Sequence, residues 1–119
     1  MTRARPDAPP PELTPVAFEV LLSLADAPLH GYGIKLAIEE RTGGDLVLGS
    51  GTLYQAIQRL EREGLIAAAG SAGSRGDPRR GRTYRLEPAG RRSLTRHLHR
   101  LSRAVDYARA HKLLPSTKS

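Results

Sequence analysis

Four long polar side chains, Gln55, Gln58, Arg59 and Arg62, are interleaved with Leu53, Ile57 and Leu60. At 100° per residue the three apolar residues share one helix face, and the polar four turn away from it. Gly51 falls on the same outer face, near the start of the segment. Groups of this kind suit hydrogen-bond chemistry at base edges. A guanidinium offers paired donors to guanine, and a carboxamide offers a donor and an acceptor to adenine. A glycine at the entry lets a backbone come close to a duplex. Gln and Arg are also good helix formers, so a merely solvated face fits the same residues. The segment that follows weighs against that blander reading.

That segment runs from Gly70 to Gly81 with four glycines, Pro78 and a dense set of cations. Arg75, Arg79, Arg80 and Arg82 lie within eight positions, offset only by Asp77. A cationic loop of this composition can follow phosphates or enter a minor groove. Its length exceeds that of a tight hairpin turn, so its tip is expected to be mobile.

Catalytic and metal-binding patterns are poor. There is no cysteine, and His30, His97, His99 and His111 show no ligand spacing. GYGIKL and GSGTLY resemble fragments of glycine-rich phosphate loops but complete neither GxGxxG nor a P-loop with Lys. Glu39, Glu40, Glu61 and Glu63 read most simply as solvated helix residues. The reading is therefore of a non-enzyme with no cofactor and no metal.

The elements that must carry these groups can be placed from their signals. Thr14 and Pro15 begin a helix with Val16, Val20, Leu21 and Leu24 on its apolar stripe, widened by Phe18 and Leu22 and ended by Ala27-Pro28. A second helix is expected from Tyr32 to Arg41, with Ile34, Ala37 and Ile38 on one face and Tyr32 and Leu36 on another, as if packed on two sides. Thr42-Gly43-Gly44 stops it. Asp45 to Leu48 reads as a connection or minimal strand. The third helix starts with Ser50 as N-cap and stops at Gly64. Residues 65–68 and 82–86 read as strands flanking the arginine-rich loop. Glu87 and Pro88 open a last helix that reaches about Lys112. Along it Leu94, Leu98, Leu101, Val105 and Ala108 step by four and three, a coiled-coil seam, with Arg92, Arg96, Arg100 and Arg103 on the far side. The order predicts a mainly α fold with a small β-hairpin: a winged helix-turn-helix followed by one long dimerisation helix.

Composition agrees with a polyanion partner. The 119 residues carry a formal net charge of +7. Residues 1–70 hold six Lys/Arg against nine Asp/Glu, and residues 71–119 hold thirteen against three, so the two parts differ in sign. The N-terminal residues show no apolar signal region, and no run is long enough to span a membrane, which points to a cytoplasmic protein without a membrane partner. Residues 1–11 are expected to be a disordered tail, 12–87 the winged helix-turn-helix, 88–114 the dimerisation helix and 115–119 a flexible tail.

HGYGIKLAIEE at 30–40, GSGTLYQAIQRLEREGLI at 49–66 and GRTYRLEPAGRRSL at 81–94 resemble the PadR family of transcriptional regulators. The likeness extends over about residues 12–110. It implies a winged-helix homodimer that binds an inverted-repeat operator in double-stranded DNA, usually as a repressor, with release by a small hydrophobic or phenolic effector. Ser50, Gly51, Thr52 and Tyr54 would lie at the DNA-facing start of the third helix, with Tyr54 on a phosphate. Tyr84 and Arg85 would sit on the strand leaving the wing, with Tyr84 among the DNA contacts. Two other classes remain open from the residues themselves: an RNA-binding winged helix, and a protein-interaction module for an acidic partner. Preference for an inverted-repeat duplex separates the first, and absence of salt-sensitive nucleic-acid binding would favour the second.

Overall fold

The computed structural model describes residues 13–69 and 82–115. The elements run α1 (Pro15–Ser23), β1 (Leu29–His30), α2 (Gly31–Arg41), α3 (Ser50–Arg62), β2 (Ile66–Ala68), β3 (Thr83–Leu86) and α4 (Pro88–Ala110). Three helices and a three-stranded antiparallel sheet of order β1-β3-β2 enclose one core, and the fourth helix leaves it. The mainly α fold with a small sheet is the one the sequence predicts. The expected tail at 1–11, residues 116–119 of the expected tail at 115–119, and the loop bearing Arg75, Arg79 and Arg80 lie outside the described residues.

Helix α1 starts as expected, with Thr14 accepting from the Ala17 amide at 3.0 Å and Pro15 in the first turn. It stops at Ser23, short of Ala27-Pro28. Pro28 has no N–H to give the Leu24 carbonyl, and the chain closes instead with Leu24 N–H on Leu21 O and Ala25 N–H on Leu22 O. Arg41 ties the end of α2 to α1, donating from Nη2 to the Glu19 carbonyl at 3.1 Å and to the Glu19 carboxylate. Thr42 manages the exit of α2: its hydroxyl donates to Ile38 O at 2.8 Å and accepts from the Leu46 amide at 3.1 Å. One face of α2 is buried through Ile34 and Ile38, but Tyr32 and Leu36 are exposed. The expectation of packing on two sides is not met within one chain.

Residues 45–48 alternate as a strand would, with Leu46 and Leu48 turned inward and Val47 outward, but among the described residues no strand pairs with them. The third strand is β1, too short to show a period. Leu29 pairs with Tyr84 and His30 with Thr83, while β2 pairs with the other edge of β3. Helix α3 begins one residue earlier than a Ser50 cap requires. Gly49 is the N-cap, with its carbonyl accepting from the Leu53 amide, and Ser50 is the first helical residue.

Gly90 decides where α4 starts its course. A Cβ there would lie 2.1 Å from the Leu65 carbonyl oxygen. That oxygen also accepts from the Glu87 amide at 3.0 Å, so the first turn of α4 is set directly on the entry to β2. Arg91 adds a bond from Nη2 to the Ala25 carbonyl at 3.3 Å. Glu87 is the N-cap by backbone position, but its carboxylate pairs with Arg85 and does not cap. The helix ends at Ala110, two residues short of the expected end, where Lys112 takes a left-handed φ of 63° and Leu113 N–H returns to Ala108 O.

Candidate nucleic-acid interface

The core orients α3 without ambiguity. Leu53, Ile57 and Leu60 are buried in the cluster formed with Val20, Ile34 and Ile66. With that face committed, Ser50, Gly51, Thr52, Gln55, Gln58, Arg59 and Arg62 are all exposed. Gly51 has nothing within 4 Å of where a Cβ would be, so the fold itself does not demand a glycine there. Gly49 lacks any side chain that could occupy the first-turn amides, which leaves the positive end of the helix dipole facing outward.

Tyr54 is placed differently from its neighbours. It is half-buried, packed against the core, and its hydroxyl reaches the N-terminus of α2. A Cβ on Gly31 would fall 2.2 Å from that oxygen. Gly31 therefore makes room for Tyr54, and the ring braces α3 against α2. Nothing in the local pattern around Gly31 announces this role, because the contact joins residues twenty-three positions apart.

Tyr84 is corrected by the structure. It is 2% exposed, in the middle of the sheet between Leu29 and Ala68, and cannot reach a nucleic acid from there. The alternation of β3 turns Tyr84 in and Arg85 out. Burial pushes the Tyr84 hydroxyl above its ordinary pKa, and a hydrogen bond from Arg82 draws it part of the way back. Arg82 is exposed at the foot of the wing. Its Nη1 lies 4.0 Å from Glu61 Oε1, which brings the wing base beside the last turns of α3. Arg59 Nε donates to Glu63 Oε2 at 3.1 Å. Glu61 and Glu63, read from sequence as merely solvated, are thus each set against an arginine of the candidate face. The i,i+4 spacing of Arg59 and Glu63 was available as a signal. The Glu61–Arg82 approach was not, since it depends on how the hairpin folds back.

On α4, Leu94 is buried in the chain's own core with Ser93 and Gly90. The seam that remains accessible runs through Leu98 and Leu101, 38% and 40% exposed, with Val105 and Ala108 partly covered. Phe18 of α1 rests against His97 with ring centroids 4.7 Å apart, beside the start of this seam. No helix among the described residues is long and apolar enough to cross a membrane.

A helix-turn-helix with its second helix presented outward, followed by a hairpin whose base carries Arg82, is a winged-helix module. Residues 20–96 match the transcriptional regulator PadR-like family, and the chain belongs to that family. Its members are transcriptional regulators, not enzymes. A transcriptional regulator from Clostridium thermocellum superposes with a TM-score of 0.63 at 25% identity, over 80% of this chain and 87% of that one. PadR of Bacillus subtilis, solved in complex with operator DNA, superposes with a TM-score of 0.61 at 21% identity, over 71% of this chain and 46% of that one. An uncharacterized 37.1 kDa protein in transposon TN4556 of Streptomyces fradiae is 44% identical over 84 residues, which make up 71% of this chain. The chain spans 22% of that relative's length.

Proposed function

We propose that the chain binds double-stranded DNA in a sequence-specific manner as a homodimer on an inverted-repeat operator in the cytoplasm, and represses transcription by occupying it. The observation that carries this is the outward face of α3. Gln55, Gln58, Arg59 and Arg62 project together from a helix whose other face is locked into the core. Ser50, Gly51 and Thr52 lie at its entry, and Arg82 stands at the wing base alongside. In this division of labour the carboxamides and arginines of α3 read base edges, while Arg82 and the wing residues Arg75, Arg79 and Arg80 follow phosphates. That PadR of Bacillus subtilis, which shares this fold, was solved in complex with operator DNA supports DNA as the partner.

Dimerisation is proposed through Leu98, Leu101, Val105 and Ala108, because a half-exposed leucine row gains from cover by a second copy. A two-fold dimer would present two α3 helices about one DNA turn apart, and the site would then be an inverted repeat. An effector of the small hydrophobic or phenolic kind would need walls from both copies. The α4 groove lined by Pro88, Arg91, Arg92, Thr95, Arg96 and His99 is open and cationic in one chain. The test is selection of bound duplexes from a random library by the purified protein. A two-fold symmetric motif is the expected result. Enrichment of no motif, or retention of structured RNA in preference to every duplex, would overturn the proposal.

A further inference from the structure

The carboxylates at the end of α3 are set against the arginines that the proposed interface uses. Glu63 holds Arg59 at 3.1 Å, one turn along the same helix, and Glu61 stands 4.0 Å from Arg82 across the gap to the wing base. Both glutamate side chains keep partial access to solvent. Neither pair has much to contribute to the fold. Arg59 precedes Glu63, the weaker of the two orientations for a helical pair, and exposed pairs of this kind are worth little in general. The Glu19–Arg41 pair is different in kind, since Arg41 also bonds a backbone carbonyl of α1 and so joins two helices. A carboxylate on the face where phosphates arrive does two things at once. It repels the polyanion, and it occupies a guanidinium that the polyanion needs.

We infer that Glu61 and Glu63 are specificity-determining counter-charges: each faces an arginine of the proposed interface, Glu63 against Arg59 on the reading face and Glu61 against Arg82 at the wing base, in a pair that DNA must displace. A random duplex, offering charge alone, competes poorly for Arg59 and Arg82. A matched site adds base contacts and overcomes the competition, so the pairs widen the gap between cognate and random DNA. This rests on the DNA-binding function proposed above and assigns to the same face a means of rejecting wrong sequences.

The test compares wild type with Glu61→Gln, Glu63→Gln and the charge-matched control Glu40→Gln, at an exposed position of α2. Fluorescence anisotropy reads affinity for a random duplex and for the selected operator at several salt concentrations, and thermal melting checks the fold. Glu61→Gln and Glu63→Gln should each tighten random-duplex binding about two- to five-fold. Operator binding should gain less, so discrimination narrows. Glu40→Gln should leave both affinities close to wild type. Most of the gain from Glu63→Gln should vanish when Arg59→Ala is added, because the released partner is gone. Unchanged random-duplex binding in both variants overturns the inference, as does an equal gain in the Glu40→Gln control or a gain that survives Arg59→Ala. If wild type binds no duplex at any salt, the DNA-binding function falls and the inference with it. If wild type binds and the glutamine variants do not tighten, only the inference falls.

Discussion

Helices α3 and α4 carry apolar residues at similar spacing and reach different ends. Along α3 the whole stripe, Leu53, Ile57 and Leu60, lies in the core. Along α4 the stripe enters the core only at Leu94, while Leu98 and Leu101 further along stay 38% and 40% exposed. Their charges differ as well. Arg59 is paired with Glu63, whereas Arg92, Arg96 and Arg103 are not ion-paired among the described residues. The lesson is that an amphipathic period specifies a helix and a face but not its cover. The chain itself completes α3, which makes that helix a rigid platform for outward side chains. It leaves α4 incomplete, and α4 is where a second copy is proposed to act.

The contrast is most severely tested at the junction that launches α4. Gly90→Val would drive a side chain into the Leu65 carbonyl, a backbone atom that cannot turn aside. A loss of about 3 kcal/mol or more is expected, with α4 undocked, as overpacking against a fixed group is costly. Urea unfolding measures it, and wild-type stability would show that α4 docks elsewhere.

Next comes the seam itself. Leu98→Glu should weaken self-association about a hundredfold, since a carboxylate would be buried between apolar walls. The single chain should remain folded, because Leu98 is not part of its core. Sedimentation that shows the same assembly as wild type would remove the proposed role of α4.

On the finished helix, Gln55→Ala and Gln58→Ala should each cost about 1–3 kcal/mol on the operator and little on random DNA. Their melting temperatures should barely move, because both side chains are exposed. Full discrimination in both variants, measured by competition binding, would mean that α3 does not read sequence through these residues.

The smallest effect concerns the sheet that joins the two helices. The Tyr84 pKa is raised by burial, so the unfolded chain ionises this phenol before the folded one does. Stability is unaffected by Tyr84 below its unfolded pKa, and falls as pH rises past about 10 toward the folded value. Tyr84→Phe should flatten that alkaline fall, in urea midpoints taken at about pH 8 and about pH 10.5. An identical fall in the variant would show that Tyr84 is not the group responsible.

Much of this protein could be read from its residues in order. The helical repeats of Leu53-Ile57-Leu60 and Leu94-Leu98-Leu101, the Thr14-Pro15 start, the stops at Gly43 and Gly64, and the basic stretch after α3 identify the elements and the polar face of α3. Each is a local signal, carried by propensity, capping or period within a turn or two. What only the tertiary structure decided are contacts between distant positions. Tyr84 looked like an outward residue of a basic wing, and the packing of one face of β3 on the core turned it inward. Leu94 looked like part of the seam, and the seating of Gly90 on Leu65 placed it in the core. Gly31 acquired its meaning only when Tyr54 arrived against it, and Glu61 only when the hairpin brought Arg82 across. These follow from packing in three dimensions, where a residue's neighbours are set by which elements meet and at what register, and no period along the chain encodes that.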